Sequence, residues 1–288
     1  MKLEVNNLNF SYGMKKVLNI SDVSFESGNI YGIVGKNGAG KTTFFKSLTN
    51  IIVNYSGNVF IDGENVKQNP TILTSVGIVL DDMELYKHQS GLFNLQFFGG
   101  LRGNFDEQKA LELAKELELA DDINKKVSSY SLGMNKKLIL LISIMNDAQI
   151  LILDEPFRGL DAKSVEWFKD YLLELKKQGK MIFISSHIQE DIQSLSDRVL
   201  VLENGDFAGN FDLNKEDLNY IYQVEVNKVD EFIELLKTKE ISGSKNKNMV
   251  KFSANEETYK ELFNQAVASG IEFYQIKKMS EFTQMWGD

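Results

Sequence analysis

Apolar and polar side chains alternate over most of the first 30 residues of the chain. The alternation covers residues 3–10 and 17–25, and polar segments that contain glycine interrupt it at 11–13 and 27–29. Because successive side chains of a strand point to opposite faces, this pattern is typical of half-buried strands joined by turns. It predicts antiparallel β-structure, and the apolar run at 31–34 predicts a short buried strand.

Farther along, continuous apolar runs alternate with stretches of helical spacing. Residues 150–153 and 181–184 are wholly apolar, and residues 165–177 between them have the pattern of an amphipathic helix. Strands that alternate with helices of this length indicate a parallel sheet in an α/β protein. The remaining predicted elements are a helix at 42–50, strands at 58–62 and 76–80, a helical region at 90–145, and a closing hairpin at 198–207 that turns at Asn204-Gly205.

The pattern changes after about residue 215. Stretches at 220–226, 249–252 and 271–276 predict strands, with an amphipathic helix in each gap. This β-α-β-α-β order predicts a small α+β, ferredoxin-like domain, in which residues 237–248 are the most loop-like segment. The expected organisation is a domain at 1–212, with a helical subdomain at about 90–146, and an accessory domain at 216–288.

Composition narrows the function classes. Of the 288 residues, 43% are hydrophobic and 25% are charged, as in soluble globular proteins. The net charge of -9 argues against a dedicated nucleic-acid binder, and the absence of cysteine excludes disulfides and Cys-ligated metals and fits a reducing cytoplasm. We see no secretory signal and no apolar window of about 20 residues, so we expect any membrane role to come through a partner.

The segment Gly35-Lys-Asn-Gly-Ala-Gly-Lys-Thr42 matches the phosphate-binding pattern G-x-x-x-x-G-K-[ST]. Its glycines let backbone N–H groups converge on an anion, Lys41 adds positive charge near the β- and γ-phosphates, and the Thr42 hydroxyl can bind Mg²⁺. The motif lies between a predicted strand and a predicted helix, as this chemistry requires. The predicted ligand is a nucleoside triphosphate with Mg²⁺, and the predicted phosphate-binding residues are Gly35, Lys36, Asn37, Gly38, Ala39, Gly40, Lys41, Thr42 and Thr43.

Two carboxylates end the apolar strand in Ile150-Leu-Ile-Leu-Asp-Glu-Pro156. Asp154 can hold Mg²⁺ through water, and Glu155 can polarise an attacking water as a general base. Apolar strands often end in acidic turn residues that have no function, but the phosphate-binding loop favours the catalytic interpretation. The pair therefore predicts hydrolysis of the bound nucleotide.

Three further segments stand in order around these motifs. Tyr130-Ser-Leu-Gly-Met-Asn-Lys-Lys137 precedes the carboxylate strand, Gly159-Leu-Asp161 follows it, and Ser185-Ser-His187 follows the next predicted strand. With them, roughly residues 1–210 resemble the ATP-binding-cassette (ABC) family. The resemblance implies a P-loop NTPase of ABC type, an α/β fold with a mixed sheet core, an antiparallel β subdomain and a helical subdomain.

The resemblance also implies roles for single residues. Ser131, Gly133 and Met134 match the signature motif, in an S-L-G-M form, whereas Ser131 alone would be taken for a helix N-cap. In the family, each nucleotide lies between the phosphate loop of one subunit and the signature of the other. The resemblance therefore implies a homodimer that forms on ATP binding and separates after hydrolysis.

Three more residues match single positions of the family. Asp161 matches the D-loop, and His187 matches the histidine that senses the γ-phosphate, which makes it a second catalytic candidate beside Glu155. Tyr12 matches the aromatic residue that stacks on adenine, although a strand-end aromatic is the competing interpretation. These assignments rest on the resemblance.

The chain departs from the family pattern at two places. Where the family has a glutamine that contacts Mg²⁺ and the permease, Asp81-Asp82 follows a predicted strand, so Asp81 becomes a candidate metal ligand of different charge and reach. Met134 replaces the glutamine of the signature. Together with Lys136-Lys137 and the ferredoxin-like tail, this resembles the subgroup of bacitracin- and lantibiotic-type efflux or immunity transporters.

The resemblance implies the ATP-hydrolysing subunit of an ABC transporter that exports an antimicrobial peptide or another amphiphile. Such a subunit is cytoplasmic and lies on the inner face of the cell membrane, bound to permease subunits that are separate chains; no nucleic acid is expected. The permease would contact a groove near residues 81–98. Its apolar residues are also suited to core packing of the helical subdomain; they are Leu85, Tyr86, Leu92, Phe93, Phe97 and Phe98.

A soluble ABC ATPase that acts on nucleic acid or ribosomes is the alternative function. Proteins of that class usually carry two cassettes or a long coiled coil, and this sequence has one phosphate loop and no long heptad run. A ferredoxin-like tail can also bind RNA through exposed aromatic residues. Tyr220, Tyr222 and Phe273 are the candidates, and core or dimer contacts are the competing interpretation for them.

Overall fold

The computed structural model describes residues 1–103, 105–214 and 219–280. The chain forms two compact units, Met1–Phe211 and Asp212–Asp288. The expected start of the accessory domain, at residue 216, lies outside the described residues. In the part of the chain that the structure describes, no helix has the length and apolar character needed to cross a bilayer.

The first unit begins with an antiparallel sheet of five strands. They are β1 (Lys2–Tyr12), β2 (Lys15–Ile20), β3 (Val23–Glu26), β5 (Ser56–Ile61) and β6 (Glu64–Asn65). The order is β2-β1-β5-β6, and β3 also pairs with β1. The alternating residues Leu3, Val5 and Leu8 are buried, which confirms the half-buried strands predicted from the pattern.

A second sheet of six strands supports the candidate site. Its strands are β4 (Ile30–Val34), β7 (Val76–Val79), β8 (Ile150–Asp154), β9 (Met181–Ser185), β10 (Arg198–Glu203) and β11 (Asp206–Asp212). The order is β11-β10-β4-β9-β8-β7, and the neighbours from β10 to β7 are parallel. Every residue of β4, β8 and β9 is buried, which explains their continuous apolar sequences.

Six α-helices belong to the described part of this unit. Three of them follow strands of the parallel sheet: α1 (Lys41–Leu48), α5 (Ala162–Lys177) and α6 (Gln189–Leu195). The other three pack on one another in the predicted helical region: α2 (Gly91–Gly100), α3 (Glu107–Glu116) and α4 (Leu132–Ile144). The two sheets share one core, in which the ring of Phe25 on β3 lies 4.9 Å from Tyr31 and 4.8 Å from Phe183.

The second unit has its own core under one sheet. Its elements are β12 (Tyr220–Val226), α7 (Val229–Thr238), β13 (Gly243–Asn246), β14 (Met249–Ala254), α8 (Glu256–Ala268) and β15 (Phe273–Ser280). The strand order is β13-β14-β12-β15, with antiparallel pairs throughout. A β-α-β-β-α-β chain in this order is the ferredoxin-like arrangement.

One expectation for this unit was wrong. Residues 237–248 are not simply a loop, because 243–246 form the edge strand β13 and pair with β14 through a turn that contains Lys247 at φ 53. All four β13 residues are exposed, so the sequence carries no apolar alternation that could reveal the strand. The predicted order of three strands therefore becomes four.

The aromatic residues of this unit are mainly core residues. Tyr222 is fully buried, and its ring stacks 3.9 Å from that of Tyr259. Tyr220 and Phe273 pack against the same core cluster. The three candidates for RNA stacking, Tyr220, Tyr222 and Phe273, therefore pack in or against the core of this domain.

Candidate nucleotide-binding site

The site lies where parallel strands β4, β8 and β9 end. In the β8–β9 register Asp154 is paired with Ser185, so both side chains stand at the carboxyl edge of the sheet. Ligands of open α/β sheets bind outside this edge. The phosphate-binding loop leaves β4 at the same edge and leads into α1.

Two glycines let the loop turn this tightly. A Cβ atom on Gly35 would lie 2.3 Å from the carbonyl oxygen of Leu202 on β10, so no side chain fits there. Gly40, the residue before α1, has φ 110, a conformation that side-chain-bearing residues rarely adopt. The loop therefore depends on these positions for its shape.

The Lys41 side chain folds back onto the phosphate-binding loop. Its Nζ donates to the carbonyl oxygens of Gly35 at 2.7 Å and Lys36 at 3.4 Å. Burial lowers the pKa of Lys41, whereas the nearby charges of Glu155 and Asp154 act to raise it. The ammonium group thus stands between the loop carbonyls and the two carboxylates.

Both carboxylate oxygens of Asp154 accept a hydrogen bond from a hydroxyl group. Its Oδ2 accepts from the Thr42 hydroxyl and its Oδ1 from the Ser185 hydroxyl, both at 2.5 Å, and only 2% of the residue is exposed. A hydroxyl and a carboxylate are the hard oxygen donors that Mg²⁺ prefers, and Mg²⁺ usually takes its other ligands from substrate phosphates and water. The pair therefore fits a metal that is held together with a nucleotide. Within the described ranges, no group of three or more His, Cys, Asp or Glu side chains could hold a metal ion without such help.

Glu155 has an unusual backbone conformation. Its φ of 49 is rare for a residue with a side chain, and such strain is concentrated at functional sites. The Glu155 amide donates to the Ser185 carbonyl oxygen at 3.2 Å and hydroxyl at 3.1 Å. The carboxylate then lies with Oε2 2.7 Å from Nδ1 of His187. Two candidate catalytic side chains are thereby brought into contact.

One open cavity of about 640 Å³ joins these groups. This volume is in the range of small-molecule sites. Among the sequence-predicted residues, the following line it: Tyr12, Asn37, Gly38, Gly40, Lys41, Thr42, Thr43, Asp81, Asp154, Glu155 and His187. Three residues of the predicted loop are not in the lining; they are Gly35, Lys36 and Ala39.

Tyr12 stands at the rim of this cavity. It is 56% exposed, and the edge of one ring meets the face of the other where Tyr12 packs on Phe10 at 4.7 Å. Packing on Phe10 leaves much of the Tyr12 ring available to a flat ligand. Tyr12 is thus the last residue of β1, and it also has the exposed ring surface that stacking on a base requires.

Three cavity residues were not predicted from the sequence. Lys15 and Val17 stand two apart on β2, so the alternation of that strand could have placed both on one face. Arg158 follows the Glu155 turn and gives no signal in the sequence, because an exposed arginine fits many surfaces. Its Nη1 lies 3.0 Å from Oδ2 of Asp81.

The residues that the sequence predicts as the signature, Ser131, Gly133 and Met134, do not line the cavity. Ser131 is the N-cap of α4, and its Oγ accepts from the Met134 amide at 3.2 Å. A Cβ on Gly133 would lie 3.2 Å from the Gly159 carbonyl oxygen, and the Leu132 side chain between them is 78% exposed. Asp161, the N-cap of α5, is also absent from the cavity lining. In a single chain, therefore, the signature does not reach the site that the phosphate loop forms.

A groove of about 520 Å³ adjoins the site. Asp81 and Arg158 line both this groove and the nucleotide cavity. Leu85, one of the predicted permease-contact residues, is buried in the groove wall. The other predicted permease-contact residues differ in exposure. Tyr86, Phe93 and Phe97 are exposed and contact one another, whereas Leu92 and Phe98 are half-buried.

Several known proteins have sequences similar to this one. The family described as ABC transporter matches residues 18–158. The ABC transporter ATP-binding protein NatA of Bacillus subtilis is 35% identical over an alignment of 223 positions, which covers 72% of this chain and 91% of that protein. The bacitracin transport ATP-binding protein BcrA of Enterococcus faecalis is 36% identical, over 70% of this chain and 67% of its own length. The lantibiotic transport ATP-binding protein SrtF of Streptococcus pyogenes is 32% identical, over 70% and 87%.

Solved structures share the fold. The structure of an ATP-binding subunit of an ABC transporter has a TM-score of 0.69 at 22% identity, and the match covers 91% of this chain and 100% of that one. A bacterial Atm1-family ABC exporter with ATP bound has a TM-score of 0.66 at 21% identity, over 74% of this chain and 38% of that one. These matches confirm the predicted fold class.

Proposed function

This chain belongs to the ABC transporter family as an ATP-binding subunit, an ATPase coupled to transport, and we propose that it powers the export of a peptide or another amphiphile. The proposed assembly contains two copies of the chain and separate membrane subunits. The single observation that carries the ATPase role is the arrangement at Asp154 and Glu155, where one carboxylate bonds to Thr42 and the next contacts His187.

We assign the hydrolytic roles from these contacts. Thr42 and Asp154 would hold Mg²⁺, which would supply positive charge to the phosphates of the bound nucleotide. Glu155 orients and deprotonates the attacking water, and its backbone strain fixes the direction of the carboxylate. His187 contacts Glu155 through Nδ1 and is exposed enough to meet the γ-phosphate with the rest of the ring. Lys41 stabilises the phosphates once it leaves the loop carbonyls.

The second copy supplies the other half of the site. Ser131, Gly133 and Met134 lie at the N-terminus of α4, where the N–H groups of the first turn and the helix dipole favour an anion. They are not in the lining of their own chain's cavity. The exposed Leu132 side chain offers apolar surface beside them, which a partner would cover. We therefore propose that ATP is bound between the phosphate loop of one copy and the signature of the other.

The membrane subunits are proposed to bind at the groove and at the exposed aromatic cluster of Tyr86, Phe93 and Phe97. Tyr86, Phe93 and Phe97 are 48%, 38% and 37% exposed, and exposed aromatic clusters mark protein interfaces. Through this contact the chain would lie at the inner face of the cell membrane. The substrate class follows from relatives named for bacitracin and lantibiotic transport, so we propose an antimicrobial peptide or similar amphiphile.

Co-expression with the membrane subunits tests this function. The chain should co-purify with a polytopic membrane protein in detergent, and vesicles that contain both should hydrolyse ATP faster when the exported peptide is present. Phe93→Ser with Phe97→Ser should abolish co-purification and retain ATP binding. Val267→Ser, at an exposed residue of α8, is the matched control. ATPase activity stimulated by RNA or ribosomes, without any membrane partner, would contradict the proposal.

A further inference from the structure

Asp81 and Arg158 form an ion pair at the boundary between the nucleotide cavity and the groove. The distance from Arg158 Nη1 to Asp81 Oδ2 is 3.0 Å, and both residues line both spaces. They are 77 positions apart in the chain, so the contact is made by the fold. A rearrangement of this pair would therefore change the walls of both the nucleotide cavity and the groove.

The acidic segment is also tied to the phosphate loop. Asp82, the next residue, lies with Oδ2 2.6 Å from Nζ of Lys46 on α1. Because α1 begins directly after the loop, Asp82 anchors the segment on the nucleotide side. Asp81 is therefore kept at the cavity wall even when it is not bonded to Arg158.

The Asp81–Arg158 pair is easily exchanged. Its side chains are 48% and 63% exposed, and exposed ion pairs contribute only about 0–1 kcal/mol. A divalent cation is a stronger partner for a carboxylate oxygen, and Asp81 shares its cavity with the proposed metal-binding residues Thr42 and Asp154. The Asp81–Arg158 pair is therefore weak at the place where we expect Mg²⁺ to compete with Arg158 for the Asp81 carboxylate.

A second basic residue, Lys136, lines the groove beside this pair. Lys136 of α4 is buried on the groove side, and burial lowers its pKa while the charge of Asp81, followed by those of Asp154 and Glu155, acts to raise it. Asp81, Lys136 and Arg158 all line the groove, and the contact of Asp81 in this structure is with Arg158.

We propose that Arg158 pairs with the Asp81 carboxylate until Mg²⁺ arrives with the nucleotide, when Asp81 exchanges the guanidinium for the metal. This inference rests on the proposed nucleotide site. Arg158 is then released beside the phosphates, in the cavity that it already lines. The exchange makes the partner of Asp81, and with it the wall of the groove, dependent on the bound metal.

The test is the Mg²⁺ enhancement of ATP binding, defined as ATP affinity with Mg²⁺ divided by ATP affinity in EDTA, measured by calorimetry on the full chain. Arg158→Gln should raise this ratio about two- to fivefold, the factor that an exposed pair supports, because Asp81 no longer has to leave a partner. Asp81→Asn should lower it by a similar factor. In the Asp81→Asn background, Arg158→Gln should raise it clearly less than in the parent.

The controls separate the explanations. Lys163→Gln removes the same charge from the exposed Lys163–Glu118 pair and should leave the ratio unchanged. An equal rise from Arg158→Gln in both backgrounds would show only the effect of its charge on the phosphates and would overturn the exchange. A fall of the ratio in Arg158→Gln would overturn it as well. A parent chain that binds no ATP in either condition would instead contradict the proposed function.

Discussion

The ammonium group of Lys137 lies 2.8 Å from Oδ2 of Asp161. Lys137 is buried on α4, the helix that starts at Ser131, whereas Asp161 is the N-cap of α5 and accepts from the Ser164 amide at 2.9 Å. The pair joins two elements that we assign to the contact with the second copy. The signature helix and the segment that follows Glu155 are therefore tied to each other within one chain.

The charge of Asp161 should contribute stability with a defined pH dependence. The hydrogen bond from Lys137, followed by that from the Ser164 amide, lowers the pKa of Asp161. A lowered pKa in the folded state stabilises the protein above the unfolded pKa of about 3.9, and this stabilisation is lost as pH falls below it. Asp161→Asn keeps a capping side chain but removes the charge. Urea titration should show a less stable variant at neutral pH and a difference that shrinks below about pH 4; a constant difference would contradict the pairing.

Ser185 should matter for both stability and turnover. Its hydroxyl donates to Asp154 Oδ1 and accepts from the Glu155 amide. Ser185→Ala leaves a buried carboxylate oxygen short of a partner, which should cost about 1–3 kcal/mol in the free energy of unfolding and lower kcat. Ser194→Ala, which removes a hydroxyl bonded to the Asp191 carbonyl oxygen, should change stability by less than about 0.5 kcal/mol. Equal effects of the two substitutions would contradict the role of Ser185.

Tyr12 should recognise the base and not the phosphates. We expect Tyr12→Ala to weaken ATP binding by about 1–3 kcal/mol, the range measured for stacking of a base on an aromatic ring. Tripolyphosphate, which has no base, should bind the variant and the parent equally. Tyr12→Phe keeps the ring and should keep the affinity for ATP. A parallel loss of tripolyphosphate binding in Tyr12→Ala would assign Tyr12 to the loop structure instead.

Two neighbouring glycines of α2 should respond in opposite ways. A Cβ on Gly99 would lie 2.2 Å from the Phe105 ring, whereas a Cβ on Gly100 would meet nothing within 4 Å. Gly99→Ala should therefore destabilise the first unit by about 1–3 kcal/mol. Gly100→Ala should be neutral or stabilise it by up to about 1 kcal/mol, because alanine is the better helix former. Thermal unfolding of both variants checks this, and equal melting temperatures would contradict the packing on Phe105.

The elements that the sequence revealed are those with a buried face. Strands β8 and β9 are wholly buried and therefore wholly apolar, and they deliver Asp154 and Ser185 to one edge of the sheet. Strand β13 was missed because all of its residues are exposed. The hydrophobic pattern of a sequence reflects which side chains are buried, so it does not indicate a strand whose side chains are all exposed.

The candidate site was predictable where a residue belongs to a motif. The phosphate loop, Asp154 and Glu155 follow from spacing and strand position. The Asp81–Arg158 pair does not, because it joins exposed side chains across the fold. Likewise, the Glu155–His187 contact depends on the turns after β8 and β9, and the backbone strain at Glu155 has no sequence signal.

The central claim is that two copies of the chain complete one site, and ATP-dependent dimerisation of Glu155→Gln tests it most directly. This variant keeps the size of the side chain but cannot act as a base, so bound ATP should persist. Size-exclusion chromatography with light scattering should show a dimer with Mg-ATP and a monomer without nucleotide, and adding Ser131→Arg should abolish the dimer while each chain still binds ATP. A Glu155→Gln chain that is saturated with Mg-ATP and remains monomeric would contradict the account.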